Sequence, residues 1–170
     1  MYRIIISSIL FSLCISNVGA QVKKIYGYSQ AVSGGAKMAD DLNSNSPNAE
    51  NENNNRFFIF AEVEKGKRIG FEEVWIKGNS YAFKTDTVKK FPFILTTSNG
   101  GELIFRDTLV RTSGYCVIQL TNLVKTNKQV PKNNRNLIAK NDVVIFFRHN
   151  GRMKNISLPR VKKTKPLFTQ

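Results

Sequence analysis

The chain has 170 residues, 41% of them hydrophobic, and its 26 basic and 12 acidic residues give a net charge of +14. One histidine and two cysteines are too few for a disulfide framework or a familiar His/Cys metal cluster. The length is typical of a single domain whose stability comes from its own packed core.

The first twenty residues have the organisation of a secretory signal peptide. Arg3 supplies a positive charge, Ile4 to Ile15 form an apolar stretch, and Val18-Gly19-Ala20 place small residues before an expected cleavage at Gln21. The apolar stretch is shorter than the about 20 residues that span a bilayer. We therefore expect residues 1–20 to be removed, leaving a periplasmic or secreted protein without a transmembrane segment.

Residues 21–55 change character along their length. The segment up to Tyr28 is short and partly apolar, so it could add an edge strand or simply trail. Residues 29–55 are rich in Asn, Ser and Gly and contain almost no large apolar side chains. Such a composition buries too little surface to offset the entropy of ordering, which predicts a linker or a long flexible loop.

From residue 56 onward, short apolar runs alternate with turns that contain glycine. Alternation of apolar and polar residues indicates half-buried strands, and glycine supplies the positive φ that tight hairpin turns need. The predicted strands begin at Arg56 and then cover Ile69–Lys77, Tyr81–Val88, Phe93–Thr97, Leu103–Val110, Tyr115–Leu123, Val143–His149 and Arg152–Leu158.

The last two predicted strands flank Asn150-Gly151, the dipeptide best suited to a two-residue type I′ turn. That turn places Val143 opposite Leu158 and Ile145 opposite Ile156, so one face of the hairpin is apolar. The opposite face is mixed, because Arg148 lies opposite Met153 and Phe146 opposite Asn155.

Many short strands without a convincing amphipathic helix predict an all-β fold. We expect residues 56–159 to form an antiparallel β-sandwich, immunoglobulin-like or related, with a small barrel as the alternative. Residues 160–170 then form a basic C-terminal tail. The signal, the Asn-rich spacer and the strands rich in Phe and Lys resemble small exported proteins of Gram-negative bacteria, and no functional residue is transferred from that resemblance.

Side chains capable of catalysis are sparse. The single histidine, His149, stands beside a turn among arginines, and Cys116 lies within an apolar run where a buried thiol is the expected state. Glu62 and Glu64 share a strand face that Glu73 could join across a hairpin, which is the basis for a hydrolase alternative. Lysine-paired carboxylates on a solvated face explain the same pattern, so we predict no enzyme activity, no cofactor and no metal.

Positive charge is concentrated in the last third of the chain. From Lys125 to Gln170 twelve basic residues accompany one acid, a net charge of +11, whereas residues 21–124 carry only +2. Charge asymmetry of this kind indicates an anionic partner, and a solubility role is the alternative. The predicted anion-binding residues are Arg148, Arg152, Lys154, Arg160, Lys162 and Lys163.

The leading functional hypothesis is a non-enzymatic exported β-domain that binds an acidic glycan, a lipid headgroup or an acidic protein through these residues. Nucleic acid is not expected, because an exported protein rarely meets it. The second hypothesis is an accessory of an envelope complex, in which an exposed strand edge pairs with another chain. The carboxylate hydrolase is the third.

Overall fold

The computed structural model describes residues 22–34, 55–67, 69–99, 102–111 and 114–169. The predicted signal peptide and most of the predicted linker lie outside these ranges. Within them the chain is built mainly of β-strands, which confirms the predicted all-β class. The strands are β1 (Val22–Gly34), β2 (Asn55–Val63), β3 (Gly70–Ile76), β4 (Asn79–Thr87), β5 (Phe93–Asn99), β6 (Glu102–Val110), β7 (Cys116–Thr126), β8 (Val143–His149), β9 (Arg152–Leu158), β10 (Lys162–Lys163) and β11 (Leu167–Thr169).

Most strands belong to one large sheet with the order β10-β1-β2-β7-β4-β3-β8-β9, and β11 also pairs with β1. This sheet curls into a half-barrel, while β5 and β6 form a small separate sheet. The barrel alternative therefore describes the main sheet. The sheet is mixed rather than wholly antiparallel, since β10 and β11 run parallel to β1.

The inside of the curl holds the main hydrophobic core. Its fully buried members include Ile59, Val74, Leu120 and Ile145 on four different strands. Phe147 joins them, and its ring is tilted by 58° relative to the Phe71 ring, with 6.5 Å between the ring centroids. Because strand side chains alternate between two faces, each strand contributes every second residue to this interior. The curl thus buries the central part of one face of the large sheet.

The outer face is covered by two different elements. The β5–β6 hairpin packs over β1, β2 and β7, where Phe60 and Phe93 rings meet edge to face at 5.0 Å between centroids. A short 3-10 helix (Lys132–Asn134) and helix α1 (Arg135–Lys140) cover β3 and β8, placing Ile138 against the buried Trp75. The sequence pattern predicted no helix here, because six residues are too short to show helical periodicity.

The strand pairings in the last hairpin are those that the turn sequence predicted. Val143 lies opposite Leu158, Ile145 opposite Ile156, Phe146 opposite Asn155, and Arg148 opposite Met153. Asn150 and Gly151 both have positive φ, as a type I′ turn requires. In the earlier β3–β4 hairpin the turn is Lys77-Gly78. The sequence pattern placed Lys77 in the first strand and began the second at Tyr81, whereas Asn79 already belongs to β4.

Both predicted chain ends differ from the structure. Residues 29–34, assigned to the linker from sequence, continue β1, which is hydrogen-bonded on both sides rather than lying at an edge. Residues 162–169, predicted as part of a basic tail, pair with β1, and Gln30 Nε2 donates to the Lys165 carbonyl at 3.1 Å. The polar and basic composition of these two segments suggested mobility. Strand pairing nevertheless provides hydrogen-bond partners for their backbone N–H and C=O groups, whichever side chains they carry.

Candidate functional site

The structure distributes the six predicted anion-binding residues over two faces of the sheet. Arg152 and Lys154 lie opposite His149 and Phe147, and Phe147 belongs to the interior core, so both cationic side chains extend from the inner face. Arg148 directly follows Phe147 on β8, so its side chain extends from the outer face. The predicted hairpin-tip cluster is thus divided between the two faces.

Arg148 also has a carboxylate partner. Its Nε donates to Glu72 Oε1 at 3.1 Å, and its guanidinium donates to the Gly151 carbonyl at 3.3 Å. Both ion-pair side chains are about half exposed, a setting in which such pairs contribute about 0.2–1 kcal/mol. The pair orients Arg148 toward the outer face, and we exclude it from the anion-binding set.

The other five residues lie on β9, on β10 and on the link between them, which are the two terminal strands of the sheet and their connection; the curl brings β9 close to β1, which β10 borders. We call Arg152, Lys154, Arg160, Lys162 and Lys163 the basic edge. Lys154 is half-buried and the other four are exposed. No acidic residue occurs after Asp142 in the sequence. Among the residues that the structure describes, Arg152, Lys154, Arg160 and Lys162 form no ion pair with a carboxylate.

A second cationic feature lies at the opposite end of the half-barrel from the β8–β9 turn. There a cavity of about 220 Å³ opens on the inner face of β2, β4 and β7. Its wall is formed by Phe57, Tyr81 and Leu123, and Lys77 and Lys125 stand with two asparagines around it. We call it the mouth cavity. Sequence reasoning did not find it, because its residues come from three strands and a turn that only the fold brings together.

Glu62 on β2 is a buried acidic residue, only 7% exposed. Tyr26 on the neighbouring β1 donates its hydroxyl hydrogen to Glu62 Oε1 at 2.7 Å. Burial, together with this hydrogen bond to a carboxylate, raises the pKa of Tyr26 to about 12. The Lys24 ammonium lies 4.7 Å from the centre of the same ring. The Tyr26 hydroxyl on the adjacent strand therefore fixes the position of the Glu62 carboxylate.

The three glutamates proposed for the hydrolase alternative are not brought together. Glu73 lies on β3, and β7 and β4 separate β3 from β2, which corresponds to about 14 Å along the sheet at the usual strand spacing. Carboxylates that cleave a glycosidic bond lie about 5–9.5 Å apart. Glu73 is instead bound to Lys128 and accepts from the Trp75 indole, and the exposed Glu64 follows the end of β2.

The remaining candidate side chains stand apart from one another. His149 is half-buried at the end of β8, and Cys116 is a half-buried free thiol at the start of β7. Within the described ranges, no three His, Cys, Asp or Glu side chains are grouped so that they could hold a metal ion. No helix among the same residues has the length and apolar character needed to cross a membrane.

Comparison with protein-family models, with curated proteins and with solved structures found no match to this chain.

Proposed function

We propose that this chain is an exported, non-enzymatic β-domain that binds an anionic partner through the basic edge. The observation that carries the proposal is the row of cations between Arg152 and Lys163, four of which have no carboxylate partner among the described residues. Cations without intramolecular partners keep their full attraction for an external anion. The Asp142 carboxylate lies within this row, where it accepts from Val161 N at 2.9 Å, and no further acid follows it in the sequence.

The geometry of the basic edge favours an extended polyanion. The twelve residues from Arg152 to Lys163 consist of β9, a three-residue link and β10, so their charges spread over at most about 40 Å of chain. A compact anion could contact only one or two of them at a time, whereas an acidic glycan could contact several together. Lipid headgroups and acidic proteins are the other partner classes compatible with an exported protein.

The experiment is elution of the protein from an immobilised sulfated polysaccharide along a salt gradient. The test variant reverses Arg152, Lys154 and Lys162 to Glu. The control variant reverses the exposed Lys65, Lys89 and Arg111 to Glu, which changes the net charge equally. At physiological ionic strength the Debye length is about 8 Å, so exposed charges still attract each other at contact distance. Added salt shortens this length and weakens the attraction, so wild type should elute only at raised salt.

We expect the basic-edge variant to elute much earlier than the control variant. Equal losses for the two variants would mean that net charge alone governs retention, and the proposal would then fail. Failure of wild type to bind the sulfated polysaccharide, together with binding to vesicles containing anionic lipid, would redirect the proposal to a lipid partner.

One observation favours the second hypothesis, an accessory that pairs through a strand edge. Among the described strands, β9 is hydrogen-bonded as a strand to β8 alone. Because His149 and Arg152 flank a two-residue turn and exchange hydrogen bonds, the Asn155 N–H faces away from β8. Asn155→Pro should therefore spare the hairpin but block an added strand. Crosslinking to an envelope protein that is insensitive to salt and lost in this variant would support the accessory role.

A further inference from the structure

The mouth cavity combines an aromatic wall with two fixed cationic positions. Phe57 and Tyr81 form the wall, with ring centroids 6.2 Å apart at an interplanar angle of 73°, and Leu123 completes it. Because β2 and β4 both border β7, the two rings reach each other across the intervening strand on the concave side. A wall of this kind offers a flat apolar surface to a ligand.

The position of Lys77 is set by the backbone of its turn. Its N–H donates to the Asp142 carbonyl at 2.7 Å, and its own carbonyl accepts from Asn79 Nδ2 at 3.2 Å. The φ of Lys77 is +47°, as the first position of a type I′ turn requires. The turn is therefore held on both sides, and the Lys77 side chain starts from a defined point at the cavity rim.

The second cation is placed by strand pairing. Lys125 on β7 lies directly opposite Tyr81 on β4, so both side chains extend from the same face of the sheet. Neither Lys77 nor Lys125 forms an ion pair within the described part of the chain, and no carboxylate belongs to the cavity lining. Two ammonium groups without a carboxylate in the lining thus stand beside the aromatic wall of the cavity.

We propose that the mouth cavity binds a small organic anion with a single aromatic ring, such as an aromatic carboxylate. The ring would lie against Phe57, Tyr81 and Leu123, and the carboxylate would accept hydrogen bonds from Lys77 and Lys125. The cavity is large enough for one aromatic ring. It measures about 220 Å³, and an engineered apolar cavity of about 150 Å³ holds one benzene molecule. This site is independent of the basic edge, with which it shares no residue.

The test is a titration of the purified protein with benzoate, followed by calorimetry or by ligand-detected nuclear magnetic resonance. Benzamide serves as the neutral molecule of the same shape, and inorganic phosphate serves as an anion without a ring. The variants are Lys77→Gln, Lys125→Gln and their combination. Lys84→Gln is the matched control, since Lys84 is an exposed lysine on β4 outside the cavity lining.

We expect benzoate to bind more tightly than either benzamide or phosphate. Each cavity lysine variant should weaken benzoate about two- to fivefold, the range of exposed ion pairs, and the combination about tenfold. Lys84→Gln and the triple basic-edge variant should bind benzoate as wild type does. Equal affinities for benzoate and benzamide, benzoate binding unchanged in the double variant, or no measurable benzoate binding would overturn the proposal.

Discussion

Closure of the half-barrel depends on a glycine at the point where β9 approaches β1. A β-carbon added at the buried Gly27 would lie 2.8 Å from Leu158 Cδ2, 3.0 Å from Val161 Cγ1 and 3.4 Å from Val143 Cγ2. The first distance is shorter than real β-carbon contacts, the second is tight, and the third is an ordinary van der Waals contact. The chain after β9 can therefore lie against β1 only because residue 27 has no side chain.

The cost of filling this space can be estimated from its neighbours. The Leu158 methyl can rotate away, whereas Val143 and Val161 are β-branched and have restricted χ1. Overpacking costs about 1–3 kcal/mol, and replacing glycine in a strand recovers about 0.4–1 kcal/mol through the unfolded chain. We expect Gly27→Ala to lose about 1 kcal/mol. Gly27→Val, which adds two further methyl groups, should lose about 2–3 kcal/mol.

The assay is urea and thermal unfolding of both variants, with Gly114→Ala as the control. An added β-carbon at Gly114 meets no atom within 4 Å, so that variant should remain within about 0.5 kcal/mol of wild type. For a chain of this size Gly27→Val should lower the Tm by about 4–12 °C. Adding Leu158→Ala should make the double variant less destabilised than the sum of the single changes. If Gly27→Val proved as stable as wild type, the close packing of Leu158 and Val161 against β1 would be refuted.

Three further predictions concern the faces of the sheet. Tyr26→Phe should make the free energy of unfolding depend less on pH above pH 10. The folded-state pKa of Tyr26 is raised to about 12, so the stability that its neutral hydroxyl contributes is present below pH 10 and is lost as the pH rises toward 12. Parallel profiles of unfolding free energy against pH for the two proteins would contradict this. Ile138→Ala should lose about 2–5 kcal/mol and shift the emission of Trp75, which is 1% exposed, to longer wavelength; unchanged emission would mean that α1 does not cover the indole. Arg148→Gln should leave elution from the sulfated polysaccharide unchanged, because its guanidinium is bound to a glutamate on the outer face, and earlier elution would return it to the anion-binding set.

Local patterns in the sequence were sufficient to predict the hairpins. Asn150-Gly151 determined the turn, and the two-residue strand period then determined every pairing in the β8–β9 hairpin. The run Phe57-Phe58-Ile59-Phe60 at the start of β2 places apolar residues on both faces, which is the pattern expected of a strand that is covered on both sides. The structure agrees, with Ile59 in the interior core and Phe60 beneath the β5–β6 hairpin.

Long-range pairing could not be predicted in this way. The positions of β10 and β11 beside β1 depend on contacts between residues more than 130 positions apart, such as Thr164 N donating to the Ser29 carbonyl at 2.8 Å. Charge counting found the basic edge but grouped Arg148 with it, because the side that a side chain takes depends on register. The mouth cavity depends on the order β2-β7-β4-β3, which no single segment of the chain encodes.

The most direct test of the proposed function is the salt dependence of the dissociation constant for a soluble sulfated oligosaccharide. Each cation contact released by salt adds close to one unit to the slope of log affinity against log salt concentration for duplex polyanions. We predict a steep slope for wild type that falls by about two to three units when Arg152, Lys154 and Lys162 are reversed. It should change little when Lys65, Lys89 and Arg111 are reversed. Equal slopes for the two variants would contradict a binding site on the basic edge.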